Sequence, residues 1–252
     1  MRPQPASGSA GSSEMNLNRA YRIAANTAGA VARALQKLKT AVQVAFERAI
    51  VTRNPAGQEG AVRRSISSTV TTLSSYVMTG TVNAWRTAGS GYRPSLRKLT
   101  LPVLLALGRM ETISVKRFHE LADEALSRIT TETREDVLRE IVREFVARGI
   151  LRITDSLGRE YDAVEWTERA VDTAILNAAR QAYTGTLLAK GSTVVKVITE
   201  QGACGKCRPF HNRHLALRPT PGMFTVAQAE RLGLFHPSCR CHMVEIRQAV
   251  AA

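Results

Sequence analysis

The residues of this chain that could do chemistry are concentrated in two short stretches. All four cysteines and four of the five histidines lie in "CGKCRPFHNRH", residues 204–214, and "HPSCRCH", residues 236–242. The first stretch contains a Cys-x2-Cys pair, and the second reads His-x2-Cys-x-Cys. Thiolates and imidazoles are the ligands that zinc prefers in structural sites. The clustering therefore predicts a metal site with five candidate ligands, Cys204, Cys207, His236, Cys239 and Cys241.

The spacing within each stretch suits chelation of one structural Zn²⁺ ion. A tight turn can aim the thiolates of Cys204 and Cys207 at one point, and a tetrahedral site then needs two further nitrogen or sulfur ligands. His236 and Cys239, also three residues apart, can supply them from a second turn. Cys241 competes with either, because side chains two residues apart in an extended segment share a face. The residues alone leave open which four of the five bind, and a four-cysteine set is one option.

Disulfides, buried free thiols and catalysis are the alternatives to a structural metal. A catalytic zinc keeps an open position next to a general base. A zinc deaminase pairs His-x-Glu with a later Pro-Cys-x-x-Cys, and this sequence has no His-x-Glu. A cysteine nucleophile with His211 or His214 as its base is conceivable, but so many crowded thiols argue against one activated nucleophile. We therefore expect no enzymatic activity.

The other histidines are expected to lie outside the site. We predict loop or surface positions for His211, His214 and His242, and a structural position for His119 in a helical region.

Helical periodicity predominates in the first part of the chain. Val31, Leu35, Leu38 and Val42 recur at helical spacing, and "NPAG" at 54–57 breaks the pattern. A composition with only 5% aromatic residues also favours helix packing. The predicted helices cover residues 15–54, 60–88, 100–129, about 133–149 and 163–190.

The pattern changes after residue 149. Turn residues in "DSLG" predict a hairpin of strands 150–154 and 159–162. β-branched residues predict a strand over 192–199, and a last strand is predicted over 242–248. A capping box of Thr225 and Gln228 predicts a short helix over 225–233.

These elements predict the α+β class, with a mainly helical N-terminal part followed by a small α+β module that is held together by a Cys/His zinc site. The predicted domains are a disordered tail at 1–14, a basic helical region at 15–148 and the zinc module at 149–252. The core of such a module is marginal, so metal ligation would supply part of its folding free energy.

Charge is distributed unevenly along the chain. The net charge is +14, and residues 1–120 carry 17 basic and 5 acidic side chains, a net charge of +12. Such an excess predicts non-specific contact with DNA or another polyanion.

The longest apolar run, "LPVLLALG", is far shorter than the ~20 residues of a membrane span, so we expect no membrane partner. The first 14 residues lack the apolar segment of a secretory signal, which makes a reducing cytoplasm the default location.

The sequence resembles the phage minor capsid protein family and the related head-morphogenesis proteins named after the F protein of phage Mu. The resemblance covers about residues 130–248 and is carried by "DSLGREYDA", "GACGKCRPFHNRH" and "LGLFHPSCRC". Relatives share a Gly-Arg hairpin, a long helix, a strand, Cys-x2-Cys and a short helix before "HPNCRC" or "HPNCRH". Here Ser238 replaces the usual Asn, and His211-Asn212 stands where Asp-Gly is common, which puts in doubt any role of that turn.

The resemblance implies a virion protein that acts in head assembly beside the portal. Its expected partners are phage portal and capsid proteins together with packaged DNA, and its expected location is the capsid interior near the portal after assembly in the host cytoplasm. We expect no further domain, since the chain ends shortly after the motif. Two alternatives stay open: a zinc-ribbon-like nucleic-acid-binding protein, and a metal-dependent hydrolase for which the sequence offers no convincing base.

Overall fold

The computed structural model confirms the α+β class and describes residues 10–89, 96–129, 140, 151–155, 157–236 and 239–246. The helix predicted at about 133–149 lies outside these residues except for Glu140, which is helical. The helices are α1 (Ala10–Thr52), α2 (Pro55–Ala88), α3 (Leu96–Arg128), α4 (Ala163–Ala189) and α5 (Val226–Arg231). The strands are β1 (Arg152–Thr154), β2 (Glu160–Asp162), β3 (Val194–Ile198), β4 (His214–Ala216) and β5 (His242–Glu245), and a 3₁₀ turn covers Arg208–Phe210.

The contacts of the chain group its residues into two compact units. The helical unit contains Thr27–Met78 and Thr100–Ala170, and the C-terminal unit contains Met1–Asn26, Thr79–Leu99 and Val171–Ala252. The domain bounds predicted from the sequence stay a prediction. Helix α1 begins at Ala10, inside the stretch 1–14 for which composition predicted a disordered tail.

The helical unit buries the apolar stripe that periodicity predicted on α1. Leu35 and Val42 are fully buried there, and the ring of Phe46 meets the ring of Phe118 on α3 edge-on at 5.9 Å between centroids. Large aromatic side chains contribute much of the apolar surface that a core removes from water. The packing of this stripe therefore aligns the segments of α1 and α3 in this unit.

Helix boundaries in this unit follow from capping residues. Asn54 accepts a hydrogen bond from the backbone N–H of Gly57 at 2.9 Å, and Pro55 stands at the first helical position, where its missing N–H costs nothing. Helix α2 continues through a run of Ser and Thr, in which several hydroxyls, such as that of Thr69 on the carbonyl of Ser65, find an acceptor one turn back. The end of α1 at Thr52 and the start of α2 at Pro55 confirm the break predicted at "NPAG".

The C-terminal unit contains a three-stranded antiparallel sheet in the order β4-β3-β5. Strand β3 is mostly buried and pairs with both neighbours. Helix α4 stops at a Schellman motif, in which the N–H of Ser192 bonds the carbonyl of Leu187 and Gly191 takes φ 82°. The capping box of Thr225 and Gln228 is also present at the start of α5. Strand β4 and the 3₁₀ turn were not predicted.

Strands β1 and β2 form the predicted antiparallel hairpin, and Asp155 organises its turn. The Asp155 carboxylate accepts hydrogen bonds from the backbone N–H groups of Leu157 and Arg159 at 2.8 and 3.0 Å. It also pairs with the Arg159 guanidinium at 2.7 Å. Desolvation acts to raise the pKa of Asp155, but these hydrogen bonds outweigh it and lower the pKa to about 2.

This geometry predicts a hairpin that loosens in acid. Because the folded pKa of Asp155 lies below the unfolded value of ~3.9, its contribution is complete above about pH 4 and is lost as pH falls toward 2. Hydrogen-exchange protection factors of the Leu157 and Arg159 amides should fall over that range. Asp155→Asn should show lower protection at pH 6 and little further change in acid. Equal pH profiles in both proteins would contradict this assignment.

Candidate metal centre

The pairing of β3 with β5 brings the two cysteine-containing stretches together. The strands are antiparallel, and Ile198 at the end of β3 lies opposite His242 at the start of β5. The segment that follows β3 and the segment that precedes β5 therefore meet at the same end of the sheet. This is why residues separated by about 30 positions share one site.

All five sequence-predicted ligands lie in this cluster, in two groups that overlap at one residue. Cys204, Cys207 and His236 place their ligand atoms within 4.8 Å of one another, and so do Cys207, Cys239 and Cys241. The four cysteines are not joined in disulfides. Cys207 belongs to both groups, so the five residues could hold a metal ion of which Cys207 is the common ligand.

The Cys-x2-Cys stretch forms a tight turn that begins at Cys204. The N–H groups of Cys207 and Arg208 bond the carbonyl of Cys204 at 3.1 and 2.9 Å. The backbone amides of Cys207 and Lys206 also lower the pKa of Cys204. Amide donors around a thiolate stabilise its negative charge, which is the form that binds metal. The turn is therefore shaped to present Cys204 as a ligand.

The second turn is held from outside by polar side chains of α4 and α1. Arg180 on α4 is 4% exposed and donates from Nη2 to the carbonyl of Cys239 at 2.6 Å, while its guanidinium stacks on the ring of Phe235 at 4.6 Å. Tyr21 on α1 donates its hydroxyl to the carbonyl of Cys241 at 2.9 Å. These bonds fix the backbone that carries the two cysteines. Such outer contacts orient metal ligands.

Arg240, between these cysteines, is anchored as well. Its guanidinium lies 3.2 Å from a carboxylate oxygen of Asp172 on α4, and Asp172 is 5% exposed. Asp172 therefore restrains the residue between the two ligands from the same helix as Arg180. No pattern in the sequence singles out Tyr21, Asp172 or Arg180, because their partners are 59 to 220 residues away.

The separations of the ligand atoms fit a bound tetrahedral ion. Two thiolates that each lie ~2.3 Å from zinc stand about 3.8 Å apart at the tetrahedral angle. The Cys207 and Cys239 sulfurs are 3.5 Å apart, and the Cys204 sulfur lies 3.0 Å from Nε2 of His236. The cluster is therefore as compact as a metal site requires, and small outward shifts would seat an ion.

Electrostatics in the cluster also favours a cation. Burial raises the pKa of Cys207 above its ordinary value, and the neighbouring Cys239 adds to this shift. Burial likewise raises the pKa of Cys241. Backbone hydrogen bonds, that of Cys207 first, lower the pKa of the exposed Cys204 to about 7. Buried thiols this close would not ionise together without a positive charge among them, and a divalent ion supplies that charge.

A cleft of about 690 Å³ adjoins the cluster between α4 and α5. His236 lies on its wall, and none of the described lining residues is a cysteine. The acidic residue in the lining is Glu230, whose pKa burial raises. The cleft therefore does not give a solute direct access to the cysteine sulfurs.

Three of the remaining histidines match their expected positions, and one does not. His211 and His214 are exposed, and His211 Nδ1 lies 2.9 Å from the hydroxyl of Thr199. His119 on α3 lies 2.9 Å from a carboxylate oxygen of Glu59. His242 was predicted on a loop or surface, but it is half-buried in β5, where pairing with β3 places its ring against Tyr21. That prediction was wrong.

Comparison of the chain with family models, curated proteins and solved structures gave no match. Among the residues that the structure describes, no helix has both the length and the apolar character that crossing a membrane requires.

Arg180 is expected to control metal affinity. Arg180→Met keeps a long side chain over Phe235 but removes the donor to the Cys239 carbonyl. Because such outer contacts orient the metal ligands, we expect metal affinity to fall by about 10- to 100-fold. Competition with a chromogenic chelator measures the affinity. The control is Arg231→Met, which removes an exposed cation of α5 and should leave the affinity unchanged. Equal affinities in the two variants would show that Arg180 does not position the site.

Proposed function

We propose that this chain is a structural protein of a phage head, a minor capsid or head-morphogenesis protein, whose C-terminal unit is held together by one zinc ion. The observation that carries the structural role is the cluster itself. Five thiol and imidazole ligands lie at one end of a sheet, three of them buried. A structural zinc site uses four such ligands and leaves no open position.

The ligand chemistry supports zinc over other common ions. Sulfur-rich sets select zinc, copper(I) or iron–sulfur clusters, whereas magnesium and calcium require oxygen. Mixed thiolate and imidazole ligands in two knuckles are typical of structural zinc. Cys207 is the residue common to both groups, and four of the five possible four-ligand sets include it.

A catalytic role is less well supported by the surroundings. A general base has to reach within about 3 Å of its target proton, and residues 204–229 contain no Asp or Glu. Glu230 faces the neighbouring cleft, whose described lining contains no cysteine. With enough protein ligands to fill the coordination sphere, the ion has no position at which to activate water. We therefore propose that the protein is not an enzyme.

The assignment to a phage head comes from the sequence resemblance over residues 130–248. The resemblance implies a hairpin, a long helix, a strand and a short helix in this order, and β1–β2, α4, β3 and α5 follow one another along the chain. The inferred partners are the portal and capsid proteins, and the inferred location is the capsid interior near the portal.

The zinc proposal predicts metal content and its loss. Protein purified under reducing, chelator-free conditions should hold about one zinc ion per chain. Cys207→Ser removes the ligand shared by both groups. The variant should therefore retain less than about a tenth of an equivalent of zinc, and its melting temperature should fall because metal binding and folding are linked. His236→Asn should weaken binding.

His214→Asn is the matched control, because His214 is exposed on β4 outside both groups, and it should keep full zinc. Elemental analysis and thermal melts provide the readouts. A wild-type protein without zinc, or a Cys207→Ser variant with unchanged zinc and melting temperature, would contradict the structural-zinc proposal.

The head proposal predicts incorporation into particles. A phage genome encoding a tagged chain should yield purified heads that contain the tag, and Cys207→Ser should reduce that signal by at least about tenfold because the unfolded unit cannot assemble. The His214→Asn phage serves as the control. Quantitative mass spectrometry of purified particles measures the incorporation. Absence of the wild-type chain from heads would rule out a virion role and leave the zinc result unaffected.

A further inference from the structure

The cations of the helical unit differ in their pairing. On α2 and α3, Arg63 pairs with Glu59 at 2.6 Å and with Glu111 at 3.3 Å. Lys116 and Arg117 both pair with Glu120, at 3.6 and 2.9 Å. Acidic neighbours thus compensate much of the positive charge of these helices. Arg63, Lys116 and Arg117 therefore have local partners, whereas Arg64 on α2 and Arg109 on α3 are exposed and have no ion pair among the described residues.

The cations of α1 in this unit have no such partners. Of these four cations, Lys39 is half-buried and Arg33, Lys37 and Arg48 are exposed, and no acidic side chain among the described residues pairs with these three. The acid in this part of α1 is Glu47, which accepts a hydrogen bond from Gln43 at 3.0 Å. The positive charge of α1 is therefore left facing solvent.

These three cations lie along one side of the helix. At 3.6 residues per turn, Arg33, Lys37 and Arg48 fall within an arc of about 60° and extend over about 22 Å of axis. The buried stripe of Leu35, Val42 and their neighbours occupies another side. We call Arg33, Lys37 and Arg48 the α1 stripe.

We propose that the α1 stripe is a binding surface for the phosphate backbone of double-stranded DNA. Duplex DNA carries one negative charge per ~1.7 Å, or about 13 charges over the length of the stripe. A straight row of three unpaired cations can contact phosphates along this length, about one cation for every four DNA charges, without reading base sequence. This inference goes beyond the proposed structural role and does not depend on the metal.

The features of the stripe favour DNA over other anionic partners. A membrane surface would need an exposed apolar face on the helix, but that face of α1 is buried in the core. A protein partner would be expected to meet aromatic or other apolar anchors. The side chains between the cations, Thr40 and the half-exposed Val44, provide no aromatic anchor.

The test compares two triple variants of the full-length protein with equal charge changes. The stripe variant carries Arg33→Gln, Lys37→Gln and Arg48→Gln. The control carries Arg63→Gln, Lys116→Gln and Arg117→Gln, which removes three exposed but paired cations, at little cost in stability because surface ion pairs contribute little. Fluorescence anisotropy with a 30-base-pair duplex, which at 3.4 Å per base pair is about 100 Å long and so exceeds the stripe several-fold, measures affinity across a range of salt concentrations.

Each phosphate contact contributes about 0.9 to the slope of log affinity against log salt. The stripe variant should therefore lower that slope by about 2 to 3, and the control by less than about 1. Equal losses in both variants would overturn the assignment, because bulk charge would then explain binding. Absence of DNA binding by the wild type, or binding to phosphatidylserine vesicles alone, would also overturn it.

Circular dichroism and zinc content serve as folding controls for both variants. If the stripe variant loses DNA affinity but keeps its zinc, the result supports the proposal and separates the stripe from the metal site. If the stripe variant is misfolded, the single substitution Lys37→Gln, at an exposed position, replaces it with an expected slope change of about 1. An unchanged slope in folded Lys37→Gln would count against the stripe.

Discussion

The antiparallel register of β3 against β5 is the constraint on which the candidate site depends. Two of the candidate ligands, Cys204 and Cys207, follow β3. The other three, His236, Cys239 and Cys241, precede β5. The pairing of Ile198 with His242 fixes both segments at one end of the sheet. A slip by one residue would turn the side chains of β5 to the opposite face. It would also remove Met243 from the core, where it is 2% exposed. Apolar burial therefore sets the register, and the register brings the thiols together.

Helix α4 supplies the second constraint, because it anchors the turn that the sheet alone does not hold. Arg180 and Asp172 reach the Cys239–Cys241 segment from this helix, and Tyr21 reaches it from α1. In the proposed zinc-bound form, ion and protein support each other. Structural zinc contributes an apparent free energy of about 10–16 kcal/mol in small peptides, which is comparable to the ~5–15 kcal/mol stability of a whole domain. Strand β4 has three residues and helix α5 six, so these two elements bury little surface, and the ion would contribute much of the stability of the segments that carry the ligands.

Much of the fold could be predicted because its signals are local. Helical periodicity identified the stripe of α1, and turn residues identified the hairpin and the ends of α4 and α5. The five clustered ligands stood out because cysteine and histidine are rare in this chain. The contacts of Arg180 and Tyr21 could not be predicted, since each joins segments far apart in sequence. Strand β4 has three residues, too few for a pattern, and the burial of His242 follows from pairing with β3.

The two units use charge in different ways. Charged groups of the C-terminal unit, such as Arg180 and Asp172, are buried and hold the cluster, so they are paired or stacked. The helical unit obtains its stability from an apolar core that includes Phe46 and Phe118, and its surface cations are not needed for folding. On α2 and α3 several such cations, such as Arg63 and Arg117, pair with acids, whereas the exposed cations of the α1 stripe do not. Uncompensated like charges along one helix repel one another and oppose the compact state. Their presence is therefore better explained by an anionic partner than by the fold, and a polyanion bound along α1 would remove that repulsion.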